Sequence, residues 1–253
     1  DHEARWWLRP LLLIDVAKIG FWEKHYWQRA NSLVAVSDED AAIMKSKTTG
    51  IDVKVVPNGV GEDFDLIKPI LHYNHKILYQ GNYKWMQNWE AATILATKVF
   101  PIIKKEIPDA KLIINGQFPT NDLKKLASND ILIQEHEDTD SGAVVRAYSN
   151  AGILVAPIYG PGGTRLKILA AMKSMIPVVT TPLGAEGYGA VDGESIGVGK
   201  TPEDIAHKTI NILKDKKLYT KIVNTARKIV DKHFSWDPIA TKLEKIYEEI
   251  IKK

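Results

Sequence analysis

The chain contains no cysteine, which excludes a disulfide framework, a thiolate metal site and a cysteine nucleophile. That composition suits a reducing compartment, so a cytoplasmic location is expected. Long hydrophobic runs are missing too: Pro10 to Ile14, the most apolar stretch near the N-terminus, is bounded by Arg9 and Asp15, far short of the ~18 apolar residues of a membrane helix. Nor is there an excess of charge. Thirty-four Lys and Arg against 31 Asp and Glu leave +3, too small and too dispersed for a phosphate-backbone footprint, so nucleic acid is not an expected partner. The opening residues DHEARWW show no basic n-region, no apolar h-region and no initiator Met. They are not expected to act as a secretory signal, and the chain is expected to be the remainder of something longer. Absent as well is an H-E-x-x-H helix, which weakens metal-dependent hydrolase readings. Glu135 to Asp140 (EHEDTD) carries metal-ligand residue types, but no second cluster stands at a metal-binding spacing, and no metal is expected.

What remains is a globular composition: 253 residues, 45% hydrophobic and 26% charged, with 17 Gly and 12 Pro scattered. This length allows one large domain or up to two small ones. From Arg5 to Ala30, the apolar residues Leu8, Leu12, Ile19, Trp22 and Trp27 fall near helical spacing, predicting one helix, or two broken near Pro10. Its tryptophans fit either packing within the protein or peripheral contact with the cytoplasmic face of a membrane. SLVAVS, then SDEDAAIM with Ser37 as N-cap, then VKVVP predict a strand, a helix and a strand, a unit that calls for parallel pairing.

Pro57 to Asn74 is rich in turn residues and has no sustained period, which predicts a boundary. After it, short apolar strands alternate with helices. KILYQG ends at Gly81 and AKLIING at Gly116; ILIQE, GILVAP and PVVTT follow, each separated from the next by a helical pattern, the one from Trp89 to Ile107 bent near Pro101. Apolar strands in such alternation predict a doubly wound, Rossmann-like α/β parallel sheet with its ligand site beyond the carboxyl ends of the strands. The expected organisation is residues 1–57 as the C-terminal remnant of a second Rossmann-like domain, 58–75 as linker, 76–234 as the main α/β domain, and 235–253 as a final helix returning to the N-terminal part.

YGPGGTRLKIL is the most informative stretch. Gly160, Gly162 and Gly163 follow a strand, and Thr164 is expected to start a helix carrying Arg165 and Lys167. Glycines admit a close backbone approach, and free N–H groups, the helix dipole and two cations would favour a phosphate or pyrophosphate. A capped turn with two solvated cations fits the same residues. Asn82, Lys84 and Asn88 in GNYKWMQN stand at the functional edge of the same sheet.

VAVSDEDAA, VKVVPNGV, ILYQGNYKWMQNWEAA, PDAKLIING, SNAGILVAPIYGPGGTRLKILAAM, IPVVTTPLGAEG and HFSWDPIATKLEKIYEEI occur in this order. In order and spacing they resemble the group 1 (family 4) glycosyltransferases of the GT-B fold, most specifically from Ala156 to Gly187. The resemblance implies two Rossmann-like domains, the C-terminal one binding a UDP- or GDP-linked sugar and the N-terminal one a glycan or lipid-linked acceptor. It implies hexose transfer with retention and without a bound metal, in surface polysaccharide or glycan biosynthesis, with no cofactor besides the donor. Carried over by position, Gly81 and Asn82 and the run Gly162, Gly163, Thr164, Arg165 and Lys167 would hold the diphosphate. Glu135, Glu186 and Gly187 would be donor-site neighbours. The sequence departs from the family at Ala170, where a Glu commonly bonds the ribose, and at Met175, where Gly is usual. The catalytic residue is not assignable from the sequence. The alternative expectation, motivated by Ala170 and by the short N-terminal part, is a non-catalytic or split donor-binding subunit that needs a partner chain.

Overall fold

The computed structural model describes residues 9–252, except 62, 65, 66, 68–70, 72, 138, 139 and 161–164. The chain packs as two compact units. One holds the described residues through Pro57 together with those from Ala240 onward; the other runs Asn58–Ile239.

In the first unit, α1 (Arg9–Trp27) is continuous. From Arg9 onward it runs through Pro10 without a break, while the part of the expected helical stretch before Arg9 lies outside the described residues. Leu11, Leu13, Val16, Ile19, Phe21 and Tyr26 on this helix are all more than half exposed. Strand β1 (Ser32–Ala35), helix α2 (Asp38–Lys47) and strand β2 (Asp52–Val55) form the expected unit, its two strands parallel with Ser32 opposite Asp52. Ser37 caps α2 by accepting the Asp40 N–H at 3.1 Å. Ala35, Ala41 and Val53 form a small core there.

The second unit contains strands β3 (Lys76–Asn82), β4 (Lys111–Gln117), β5 (Ile131–Glu135), β6 (Ile153–Ala156), β7 (Val178–Thr180) and β8 (Gly197–Val198). All pairings are parallel, in the order β5-β4-β3-β6-β7-β8. Every residue of β6 is buried; since successive side chains point to opposite faces, both faces of the sheet are covered. The helices between strands are α3 (Met86–Ile94), α4 (Phe100–Glu106), α5 (Asn121–Lys124), α6 (Ser141–Asn150), α7 (Leu166–Lys173) and α8 (Pro182–Ala185), followed by α9 (Pro202–Lys214) and α10 (Lys216–His233); the last helix, α11 (Trp236–Ile251), starts in this unit and belongs from Ala240 onward to the first. The irregularity expected near Pro101 is a π-helical turn, Leu95–Val99, between α3 and α4. Pro101 offers no N–H to the carbonyl four residues back, and the wider turn accommodates the interruption.

The strand order reverses between β3 and β6. Strand β3 pairs with β4 along its whole length, from Lys76 opposite Lys111 to Asn82 opposite Gln117, but with β6 only at Ile77 and Leu78. Past Leu78 the two central strands part, leaving a crevice at the topological switch point of a doubly wound sheet.

Gly116, which the sequence places at a strand end, lies within the pairing of β4 with β3, opposite Gly81. Its φ is +150°, and a Cβ there would stand 1.8 Å from the Gly81 carbonyl oxygen. Met175 follows α7 with φ +59°, the left-handed conformation a glycine adopts without steric cost. Its N–H reaches the Met172 carbonyl at 3.4 Å and the Ile176 N–H reaches that of Ala171 at 3.0 Å, a Schellman ending to the helix. A glycine here, as in the glycosyltransferases that the sequence resembles, would take this conformation without that cost.

Candidate functional site

A cleft of about 710 Å³ opens where β3 and β6 diverge. The carboxyl end of β3 supplies Gln80, Gly81 and Asn82, β4 supplies Gln117, and the residue after β5 is His136. Trp85 and Asn88 come from the start of α3, Tyr148 from α6, Gly160 from the segment after β6, and Arg165, Leu166, Lys167 and Ala170 from α7 and the residue before it. Among these described lining residues are two basic side chains, Arg165 and Lys167, and no carboxylate.

Lys167 is held from three sides. Its Nζ donates to Asn88 Oδ1 at 2.7 Å and to the Tyr79 hydroxyl at 3.1 Å, and it lies 4.5 Å from the centre of the Tyr79 ring. The Tyr148 hydroxyl donates to its backbone carbonyl at 3.1 Å. Burial first, and then the Arg165 guanidinium, lower the ammonium to about 7, because both disfavour the charged form. Burial pushes the Tyr79 and Tyr148 phenols far above their ordinary range, so neither supplies a counter-charge. The backbone of Arg165 is fixed by Tyr188, whose hydroxyl accepts its N–H at 2.9 Å and donates to its carbonyl at 3.0 Å.

The opposite wall is an amide network. Asn82 Nδ2 donates to Gln117 Oε1 at 3.0 Å, and Asn82 Oδ1 accepts the Lys84 N–H at 3.1 Å, which shapes the turn into α3. Asn115 Nδ2 donates to Gln80 Oε1 at 2.6 Å, leaving Gln80 Nε2 toward His136 Nε2 at 3.5 Å. This fixes the Gln80 amide with its N–H groups toward the imidazole.

The structure brings Gly81, Asn82, Arg165, Lys167 and Ala170 together on one cleft. Gly162, Gly163 and Thr164 lie outside the described residues. The helix expected from Thr164 begins at Leu166, with Arg165 in the capping position and no side-chain cap. Glu135 is not among the lining residues; its carboxylate pairs with Lys124 at 2.7 Å, because alternation along β5 turns it away while the next residue, His136, faces the cleft. Glu186 and Gly187 are exposed and also outside the lining; in that segment it is Tyr188 that touches the Arg165 backbone. Lys84 lies over the Phe118 ring at 3.6 Å rather than in the cleft. Gln80, Trp85, Gln117, His136 and Tyr148 are lining residues that sequence reasoning missed. For Gln117 and His136 the available signal was position, since each stands at the carboxyl end of a predicted strand. Among the described residues, no group of three or more His, Asp or Glu side chains gathers into a metal-binding cluster, and no helix is long and apolar enough to cross a membrane.

Comparison with known proteins places this geometry in context. The family model for glycosyl transferases group 1 matches residues 74–215. An uncharacterised 44.6 kDa protein in the cps region of Klebsiella pneumoniae is 29% identical over 189 residues, covering 72% of this chain and 46% of that protein. The chain thus spans less than half the length of this curated relative. Among solved structures, a glycosyltransferase from Rickettsia africae aligns with a TM-score of 0.74 at 21% identity, over 91% of this chain and 67% of that one. Anabaena Alr3699/HepE, solved with UDP and glucose, aligns at 0.73 and 15% identity, over 91% of this chain and 66% of that one. The C-terminal domain of LpcC from Francisella tularensis aligns at 0.54 and 20% identity, over 69% of this chain and 99% of that one. At these identities the structural likeness is one of fold.

Proposed function

This chain belongs to the group 1 glycosyltransferases, and from that premise we propose that its cleft binds a UDP- or GDP-linked hexose by the diphosphate. The sugar would pass, with retention of anomeric configuration, to a glycan or lipid-linked acceptor in surface polysaccharide synthesis. The observation that carries the reading is the convergence of Arg165 and Lys167 on the switch-point crevice, with no carboxylate among its described lining residues. As the sugar departs, negative charge grows on the diphosphate, and two preorganised cations stabilise it more in the transition state than in the bound donor. In this reading protein cations take the part that a divalent metal plays elsewhere. The cps-region relative and the UDP and glucose held by HepE support the choice of pathway and donor class.

The Lys167 ammonium gives the reading a pH signature. With the cleft empty it loses its proton near pH 7; a bound diphosphate favours the charged form and raises that value. Binding therefore takes up a proton above pH 7, and affinity falls as pH rises from there, by up to about tenfold per pH unit.

The test is a thermal-shift panel of UDP-, GDP-, ADP- and dTDP-sugars at millimolar concentration. A ligand present at about a hundred times its Kd adds about 2.7 kcal/mol of stability, so at least one UDP- or GDP-sugar is expected to raise Tm by several degrees. A flat response to every nucleotide sugar would refute the proposal. A second reading, a donor-binding subunit that acts only with a partner chain, is favoured by Ala170, whose methyl lines the cleft without an acceptor for a ribose hydroxyl. Sugar transfer by the isolated chain would eliminate it.

A further inference from the structure

Asn88 stands in the first turn of α3 and touches both walls of the cleft. Its Oδ1 accepts the Lys167 ammonium at 2.7 Å and the Tyr79 hydroxyl at 3.2 Å, and its Nδ2 donates to the Asn82 carbonyl at 2.8 Å. Its Cγ fills the space beside Gly81, only 3.1 Å from where a Cβ on that glycine would be. One side chain thus ties α7, β3 and the turn into α3 together, with both polar ends of its amide used.

We propose that Asn88 is the positioning residue of this cleft: its amide aims the Lys167 ammonium and fixes the Gly81–Asn82 turn, and its neutrality leaves the ammonium's charge for an anionic ligand. Resting on the donor-binding reading above, the inference adds which residue presents the cation. An aspartate is nearly isosteric and would keep the acceptor that Lys167 uses. It would also pair with the ammonium directly, lose the donor to Asn82, and set a negative charge against the ligand. Among the described residues, the other titratable groups around Lys167 are Arg165 before α7, Tyr79 on β3, Tyr148 on α6 and His136 after β5. Asp231 and Arg227, on α10, engage Lys173 at the far end of α7. None of these supplies the carboxylate that Asn88→Asp would introduce beside Lys167.

The test titrates inorganic pyrophosphate into the wild-type chain and Asn88→Asp between pH 6 and 9, with uridine and guanosine as uncharged controls and a thermal melt to establish folding. In the variant, pyrophosphate affinity at pH 7 is expected to fall about tenfold to a hundredfold, the worth of one charge-assisted hydrogen bond, with nucleoside affinity within about threefold. The decline in affinity that begins near pH 7 in the wild type should move to higher pH, because a carboxylate partner keeps Lys167 charged. Equal losses for nucleoside and pyrophosphate, or an unchanged affinity with an unmoved pH profile, would overturn the proposal. Should Asn88→Asp fail to fold, Asn88→Ser carries the test. Its hydroxyl is too short to span Lys167 and Asn82, so about a tenfold loss for pyrophosphate is expected and an unchanged value would overturn the inference. A wild-type chain that binds no pyrophosphate, UDP or GDP would overturn the donor-binding reading, and this inference with it.

Discussion

Replacing Arg165 and Lys167 together by alanine is expected to weaken UDP or GDP binding by about a hundredfold to ten-thousandfold, while uridine or guanosine binding changes by less than about threefold. The magnitude follows from two charge-assisted contacts worth about 1.5–3 kcal/mol each. The two side chains line one cleft and repel each other, so in each single variant the remaining cation offsets part of the loss, and the double variant should cost at least the sum of the single ones. The selectivity is the informative part: a general collapse of the cleft would hurt nucleoside and diphosphate alike, whereas lost cations hurt only the diphosphate. Calorimetric titration of the four ligands into wild-type and variant proteins measures both numbers. Equal losses would show that these cations do not face the diphosphate. The effect should also grow as pH falls from 8 to 6, because in the wild type Lys167 becomes fully charged only below about 7.

Gly116→Ala is the substitution expected to damage the fold most. The added Cβ would lie 1.8 Å from the Gly81 carbonyl oxygen and 3.0 Å from the Tyr83 ring, at φ +150°. The first obstacle is backbone in a central strand pair and cannot swing aside. Relief requires β3 and β4 to separate where they form the cleft, so the cost is a broken stretch of sheet added to the strain of an unfavourable φ. A loss on the order of 3 kcal/mol or more is expected, a drop in Tm of roughly 10 °C at this size. Gly193→Ala is the control. It too has positive φ, at +73°, but no atom lies within 4 Å of its added Cβ, so only about 1–2 kcal/mol of conformational strain applies. Denaturant melts of the two variants that gave equal losses would remove the claim that the close contact of β3 and β4 shapes the cleft.

The sheet was legible in the sequence because its strands are buried on both faces. Runs such as KLIING and GILVAP are apolar without alternation, and the turns and helices between them leave only parallel pairing as a consistent arrangement. Strand β8 was not legible, since two residues, Gly197 and Val198, carry no periodicity. The cations of the cleft were legible because glycines followed by Arg165 and Lys167 after an apolar strand are a local pattern. The residues that present those cations were not. Tyr79, Asn88 and Tyr188 stand 88, 79 and 23 residues from the atoms they hold, and only the strand order brings them together. Glu135 shows the opposite failure. Its residue type suited the site, but one step of strand alternation gives the cleft His136 and leaves Glu135 to Lys124.

The central claim is that the crevice between β3 and β6 accepts a nucleoside diphosphate through Arg165 and Lys167. Calorimetric titration of UDP and of GDP into the wild-type chain at pH 8, repeated in two buffers of different ionisation heat, tests it most directly. The account predicts saturable binding of at least one of them at submillimolar concentration, with uptake of part of a proton by Lys167. Heats of dilution alone for both nucleotides, or binding with no proton uptake, would contradict it.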